Sequence, residues 1–155
     1  MDWGSVFAYA GVAVAVIFSG FGSSIGVGLG GQVSAGVISE DPGKFGKTIV
    51  LTALPGTQGI YGFVIGMLIL LIKLPAFKAG IPLDAGLMFF LAGFPVGLVG
   101  LVSGIWQGKV AAAGIGVVAK RPEEASKGIV YAGMVETYAI LSFLISFLLL
   151  FRVTP

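Results

Sequence analysis

Charged positions divide the chain of 155 residues into four long uncharged stretches. Residues 3–39, 48–72 and 85–108 carry no charge at all, and 128–151 carry one, at Glu136. Each stretch reaches the ~20 apolar residues that a helix needs to cross ~30 Å of hydrocarbon. The pattern predicts four transmembrane helices, 5–38, 46–73, 84–119 and 125–152, of which the first and third are long enough to tilt or to project beyond the bilayer. The polar connectors between them are short and leave no room for a soluble domain.

Sliding the sequence against itself by 80 positions exposes a repeat. Gly20, Ser23, Gly28, Pro42, Lys47, Thr57 and Phe63 meet the same residue types at Gly100, Ser103, Gly108, Pro122, Lys127, Thr137 and Phe143. The fold predicted is therefore all-α, with two tandem copies of one helical hairpin in the same orientation, 1–76 and 77–155. Glycine is concentrated in the odd helices, where Gly22, Gly26 and Gly30, and again Gly100, Gly104 and Gly108, recur every four residues. Such stripes let backbones approach closely in a membrane. The even helices are rich in Leu, Ile and Phe and suit lipid or an outer layer. The run Gly26-Val27-Gly28-Leu29-Gly30-Gly31 satisfies G-x-G-x-x-G, but no strand precedes it, so it reads as packing rather than as a dinucleotide site.

Composition narrows the function. Only 10% of residues are charged and 57% are apolar, which excludes an ordinary soluble enzyme. The net charge of +2 is scattered, so nucleic acid has no electrostatic footprint. The chain has neither His nor Cys, which removes His-based nucleophile systems, the usual zinc and haem sites and disulfides. Met1-Asp2-Trp3 lacks a basic lead, so the first span is expected to remain in the mature protein. Lys44, Lys47, Lys120, Arg121 and Lys127, with Lys109 near, flank one side, against Lys73, Lys78 and Arg152 on the other. That bias puts connectors 40–46 and 120–126 in the cytoplasm and both termini outside a multi-pass protein of the plasma membrane.

Glu136 is the one charge strictly inside a span, and an acid there costs ~2.5 kcal/mol or more, which marks a functional site. Gln107 lies 15 residues before Pro122 and Glu136 lies 14 after it, ~21 Å along each helix from the turn. Thr57 and Gln58 are 15 and 16 residues after Pro42, so all four polar groups share a level, and Tyr61 stands one turn beyond Thr57. These are hard oxygen ligands without nitrogen or sulfur. Pro55 has no N–H and frees the Leu51 carbonyl four residues back, which could complete a shell. One carboxylate among neutral oxygens suits a monovalent cation.

The runs Leu54-Pro55-Gly56-Thr57-Gln58-Gly59-Ile60-Tyr61, Gly104-Ile105-Trp106-Gln107-Gly108 and Met134-Val135-Glu136-Thr137-Tyr138 resemble the proteolipid, or K subunit, of bacterial V-type sodium-transporting ATPases. The resemblance covers essentially the whole chain. It implies a homo-oligomeric ring, odd helices inside and even helices outside, that turns against a stator membrane subunit and meets central-stalk subunits and lipid. It implies no catalysis by the chain itself, the ATP being hydrolysed in a peripheral head. It also implies that Glu136 holds sodium with Thr57, Gln58, Gln107 and the Leu54 carbonyl, in place of the Leu51 carbonyl, while Tyr61 locks the carboxylate. Gly56 occupies the repeat position of Glu136, so one carboxylate serves four helices. Three other readings stand beside this one: the same rotor carrying protons, a small proton-coupled multidrug transporter, which leaves the duplication unexplained, and a purely structural pore.

Overall fold

The computed structural model describes residues 2–155. Four helices long and apolar enough to cross a membrane follow one another: α1 (Trp3–Glu40), α2 (Pro42–Ala76), α3 (Leu83–Lys120) and α4 (Pro122–Phe151). No strand occurs among the described residues. Two hairpins of the same design result, and the protein is a multi-pass membrane protein. Both odd helices run one or two residues past the predicted ends and take in Glu40, Leu83 and Lys120.

The hairpin turns repeat one device. α1 ends at Glu40 and α3 at Lys120, and each chain then enters a short 3-10 turn, Pro42–Lys44 or Pro122–Glu124. Proline is tolerated there because the first residue of a helical turn has no use for its N–H. The Asp41 carboxylate accepts from Gly43 N at 3.0 Å and holds the first turn shut. Between the hairpins, Gly80 takes φ +100°, a left-handed conformation that favours glycine. Lysines tie the ends together: Lys44 Nζ donates to the Ala119 carbonyl at 2.9 Å, and Lys73 Nζ donates to Val153 O at 3.0 Å. Cations are favourable at such helix C-termini, whose carbonyls lack partners.

α1 and α3 lie against each other along their length, and glycine makes this possible. A Cβ on Gly22 would drive into the backbone of Gly100 and Leu101, and one on Gly26 would drive into Gly104 O and stand 2.6 Å from Pro55 Cβ. Gly86, Gly93 and Gly108 are closed off in the same way by Gly4, Gly11 and Gly26. Gly30 departs from the expected stripe and faces α2, with Thr52 Cα at 3.2 Å from its Cβ position. The even helices flank this seam. Two apolar clusters form the interior, one containing Ile65, Ile69, Phe89 and Val96, the other Leu51, Ala111, Ile115 and Val118. Along the helices, the polar level at residues 54–61, 103–107 and 132–136 falls between them.

α2 differs from the plain helix expected over 46–73. It is α-helical over Phe45–Ala53, tightens to a 3-10 turn at Leu54–Gly56, resumes over Thr57–Met67, widens to a π turn at Leu68–Lys73 and closes with Leu74–Ala76. Pro55 explains the central break, since it cannot donate to the carbonyl of Leu51. The Thr57 N–H turns to Leu54 O instead.

Candidate ion-binding site

The break at Leu54–Gly56 sits at the level of Glu136. The Glu136 carboxylate is held from two sides: the Tyr61 hydroxyl donates to Oε1 at 2.6 Å, and Gln107 Nε2 donates to Oε2 at 3.1 Å. α2, α3 and α4 each contribute one member of that trio. Gln107 and Gln58 are fully buried. Gln107 Nε2 spends its second proton on the Ala132 carbonyl at 3.0 Å, and its Oε1 accepts from Gln58 Nε2 at 2.5 Å. Gln58 Nε2 gives its other proton to Ser103 Oγ at 3.3 Å, and Ser103 Oγ in turn donates to Val135 O at 3.2 Å.

One atom is left over. Gln58 Oε1 is buried and has no hydrogen-bond partner among the described residues. A buried acceptor without a donor costs ~1–3 kcal/mol, and a cation is the group that satisfies a surplus of acceptor oxygens. The surrounding charge agrees with that reading. Among the described residues the ion pairs are Lys44 with Asp41 and Lys127 with Glu124, both at the connectors, so no basic side chain neutralises Glu136. No group of three His, Cys, Asp or Glu side chains exists among the described residues to hold a multivalent metal. One negative charge amid neutral oxygens balances one monovalent cation.

The structure thus brings Glu136, Gln107, Gln58 and Tyr61 into one hydrogen-bonded cluster. Thr57 Oγ1 donates to Leu54 O at 2.9 Å, and no hydrogen bond links either residue directly to Glu136. Two serines that the sequence pattern did not assign to the site complete its surroundings. Ser103 bridges α2 to α4, and Ser23 of α1 accepts from the Gly59 N–H at 2.7 Å, one turn beyond the proline break. Their signal was the repeat itself, in which Ser23 and Ser103 coincide at the offset of 80.

Fold and site together define a polytopic membrane protein made from a doubled helical hairpin around a single membrane carboxylate. The family model for the C subunit of ATP synthase matches residues 10–69 and again 90–149, two matches 80 residues apart (90 − 10), and the chain belongs to this family. Its relatives include the V-type sodium ATPase subunit K of Enterococcus hirae, 53% identical over 146 residues, 94% of this chain and 91% of the relative. The A-type ATP synthase subunit K of Methanocaldococcus jannaschii is 46% identical over 140 residues, 90% of this chain and 60% of that protein. The 16 kDa proteolipid of the V-type proton ATPase of Ascaris suum is 36% identical over 118 residues, 75% of this chain and 71% of the relative. The chain is by itself a non-catalytic membrane subunit.

Proposed function

We propose that this protein is the rotor-ring subunit of a V-type rotary ATPase that carries sodium across the plasma membrane, driven by ATP hydrolysis in a peripheral head. The observation that carries the reading is the buried, donor-free Gln58 Oε1 on a side chain joined through Gln107 to a carboxylate that no basic group neutralises. The Enterococcus hirae relative, named as a sodium ATPase subunit, points the same way. Sodium would be held by Glu136 and by oxygens of Gln58, Gln107, Thr57 and Leu54. Tyr61 closes over the carboxylate and keeps it in place. Sodium on Glu136 leaves no net charge, which allows the loaded site to pass along lipid while the ring turns. Copies form the ring with α1 and α3 inside. Connectors 40–46 and 120–126 face the cytoplasm and the central stalk, both termini lie outside, and a stator cation competes for Glu136 to release the ion.

Carbodiimide labelling of Glu136 tests the coupling ion. Millimolar sodium is expected to protect the carboxylate at constant pH, because the bound ion blocks the protonated form that the reagent needs. Protection by pH alone, with no effect of sodium, assigns the same rotor to protons.

Tyr61→Phe is expected to keep the fold, since the ring remains packed 5.4 Å from Phe143, centroid to centroid. It removes one hydrogen bond to a charged group, worth ~1.5–3 kcal/mol. Sodium affinity, read by the same protection assay, should fall roughly tenfold to a hundredfold.

A further inference from the structure

The chain contains one seam between its hairpins, and the repeat predicts a second seam elsewhere. Within each hairpin the packing is equivalent: Gln107 faces Glu136, and 80 positions earlier Val27 faces Gly56, whose Cβ position lies 3.7 Å from Val27 Cγ2. Across the seam, Gly26 meets Gly104 and Gly108, and Gln58 meets Gln107. Two hairpins of one design can propagate that contact head to tail from the second hairpin of one copy to the first hairpin of the next. Moving the first-hairpin side forward by 80 and the second-hairpin side back by 80 names the partners. Gly22 on Gly100 becomes Val102 on Gly20. Gly26 on Gly104 and Gly108 becomes Trp106 on Ser24 and Gly28. Gln58 on Gln107 becomes Tyr138 on Val27.

Both surfaces are open in the single chain. Val102, Trp106 and Tyr138 are 56%, 55% and 67% exposed and line a groove of about 470 Å³ between α3 and α4. On α1, a Cβ at Gly20 or Gly28 would meet nothing within 4 Å, and Ser24 is exposed. Tyr138 lies two residues from Glu136 along α4, so its exposed phenol stands within the membrane span. A phenol left facing hydrocarbon there would be costly, so this face needs a protein neighbour.

We propose that copies of this chain join with Trp106 and Tyr138 of one seated on Ser24, Gly28 and Val27 of the next, making the junction an aromatic-filled image of the ion site that holds no ion. The proposal rests on the ring reading above and adds the register and the chemistry of its contact. At that junction Gly56 stands where the carboxylate would be, Val27 replaces Gln107, and Tyr138 replaces Gln58.

The cysteine-free sequence allows a direct test. Val102→Cys with Gly20→Cys, oxidised in native membranes, is expected to give a ladder of covalent multimers on a denaturing gel. Either single variant, and Val102→Cys with Gly36→Cys, ~24 Å further along α1, should give none. The mass of the intact complex is measured in the same membranes. A large homo-oligomer without the Gly20 ladder overturns this register, whereas absence of any homo-oligomer from the unaltered chain overturns the ring reading itself. Tyr138→Ala supplies the second arm: in the oligomer that remains, the sodium concentration protecting Glu136 should change less than twofold. A tenfold change would show that Tyr138 belongs to an ion site and sink the assignment.

Discussion

Glu136→Gln is expected to abolish sodium binding and ion-coupled ATP hydrolysis while leaving the protein folded. The amide has the shape of the carboxylate but keeps one oxygen: placed at the Oε2 position, 3.1 Å away, it still accepts from Gln107 Nε2, and the new NH2 then faces the Tyr61 hydroxyl, 2.6 Å away, which accepts instead of donating. What disappears is the one charge that balances the cation. A bound sodium would then be a positive charge buried among neutral oxygens, and an uncompensated buried charge costs about 4 kcal/mol, roughly a thousandfold in affinity. Equilibrium binding of radioactive sodium to the purified complex measures this directly. Circular dichroism should show the helical signal unchanged. A variant that still bound sodium within tenfold of the parent would remove Glu136 from the site.

Gly26→Leu should have the largest effect on assembly of the fold. Its Cβ alone would collide with the Gly104 carbonyl and lie 2.6 Å from Pro55 Cβ, so neither neighbour can yield by turning a side chain. Even one extra methyl in a packed interior typically costs ~1–3 kcal/mol, and here the obstacle is the backbone of α3 on one side and the helix break on the other. Gly26→Ala should therefore lower the thermal midpoint and also weaken sodium binding, because displacing Pro55 displaces Leu54, Thr57 and Gln58 with it. Gly26→Leu should prevent α1 and α3 from closing, with loss of the folded species in detergent. Gly133→Ala is the matched control: its Cβ would meet nothing within 4 Å, and the midpoint should hold. If Gly26→Ala and Gly133→Ala melted alike, the seam would not be the element that holds the hairpins together.

Much of this molecule is legible in its sequence, and the reasons differ from residue to residue. The four spans could be read because a membrane helix satisfies its own backbone and needs only a long apolar run. The depth of Gln58, Gln107 and Glu136 could be read because a helix rises ~1.5 Å per residue from a turn that Pro42 and Pro122 mark. Thr57 shows what depth alone leaves open. It has the right depth, but that its hydroxyl donates to the Leu54 carbonyl, setting those two oxygens side by side, is decided by the 3-10 turn at Pro55. Gly30 shows the same limit: the spacing of four places it with Gly22 and Gly26, and the packing turns it toward Thr52.

By itself the sequence determined the number of spans, their duplication, the seam-forming character of the glycines and the lone membrane acid, since each depends on local composition or on a fixed axial rise. Only the tertiary structure decided which oxygens share protons across three helices. It put Ser103 under Gln58, gave the Leu54 carbonyl to Thr57, and left Gln58 Oε1 without a donor. Apart from the local Thr57–Leu54 pair, those outcomes depend on distances between side chains 45 and 49 residues apart, which the packing of the helices sets and no local pattern contains.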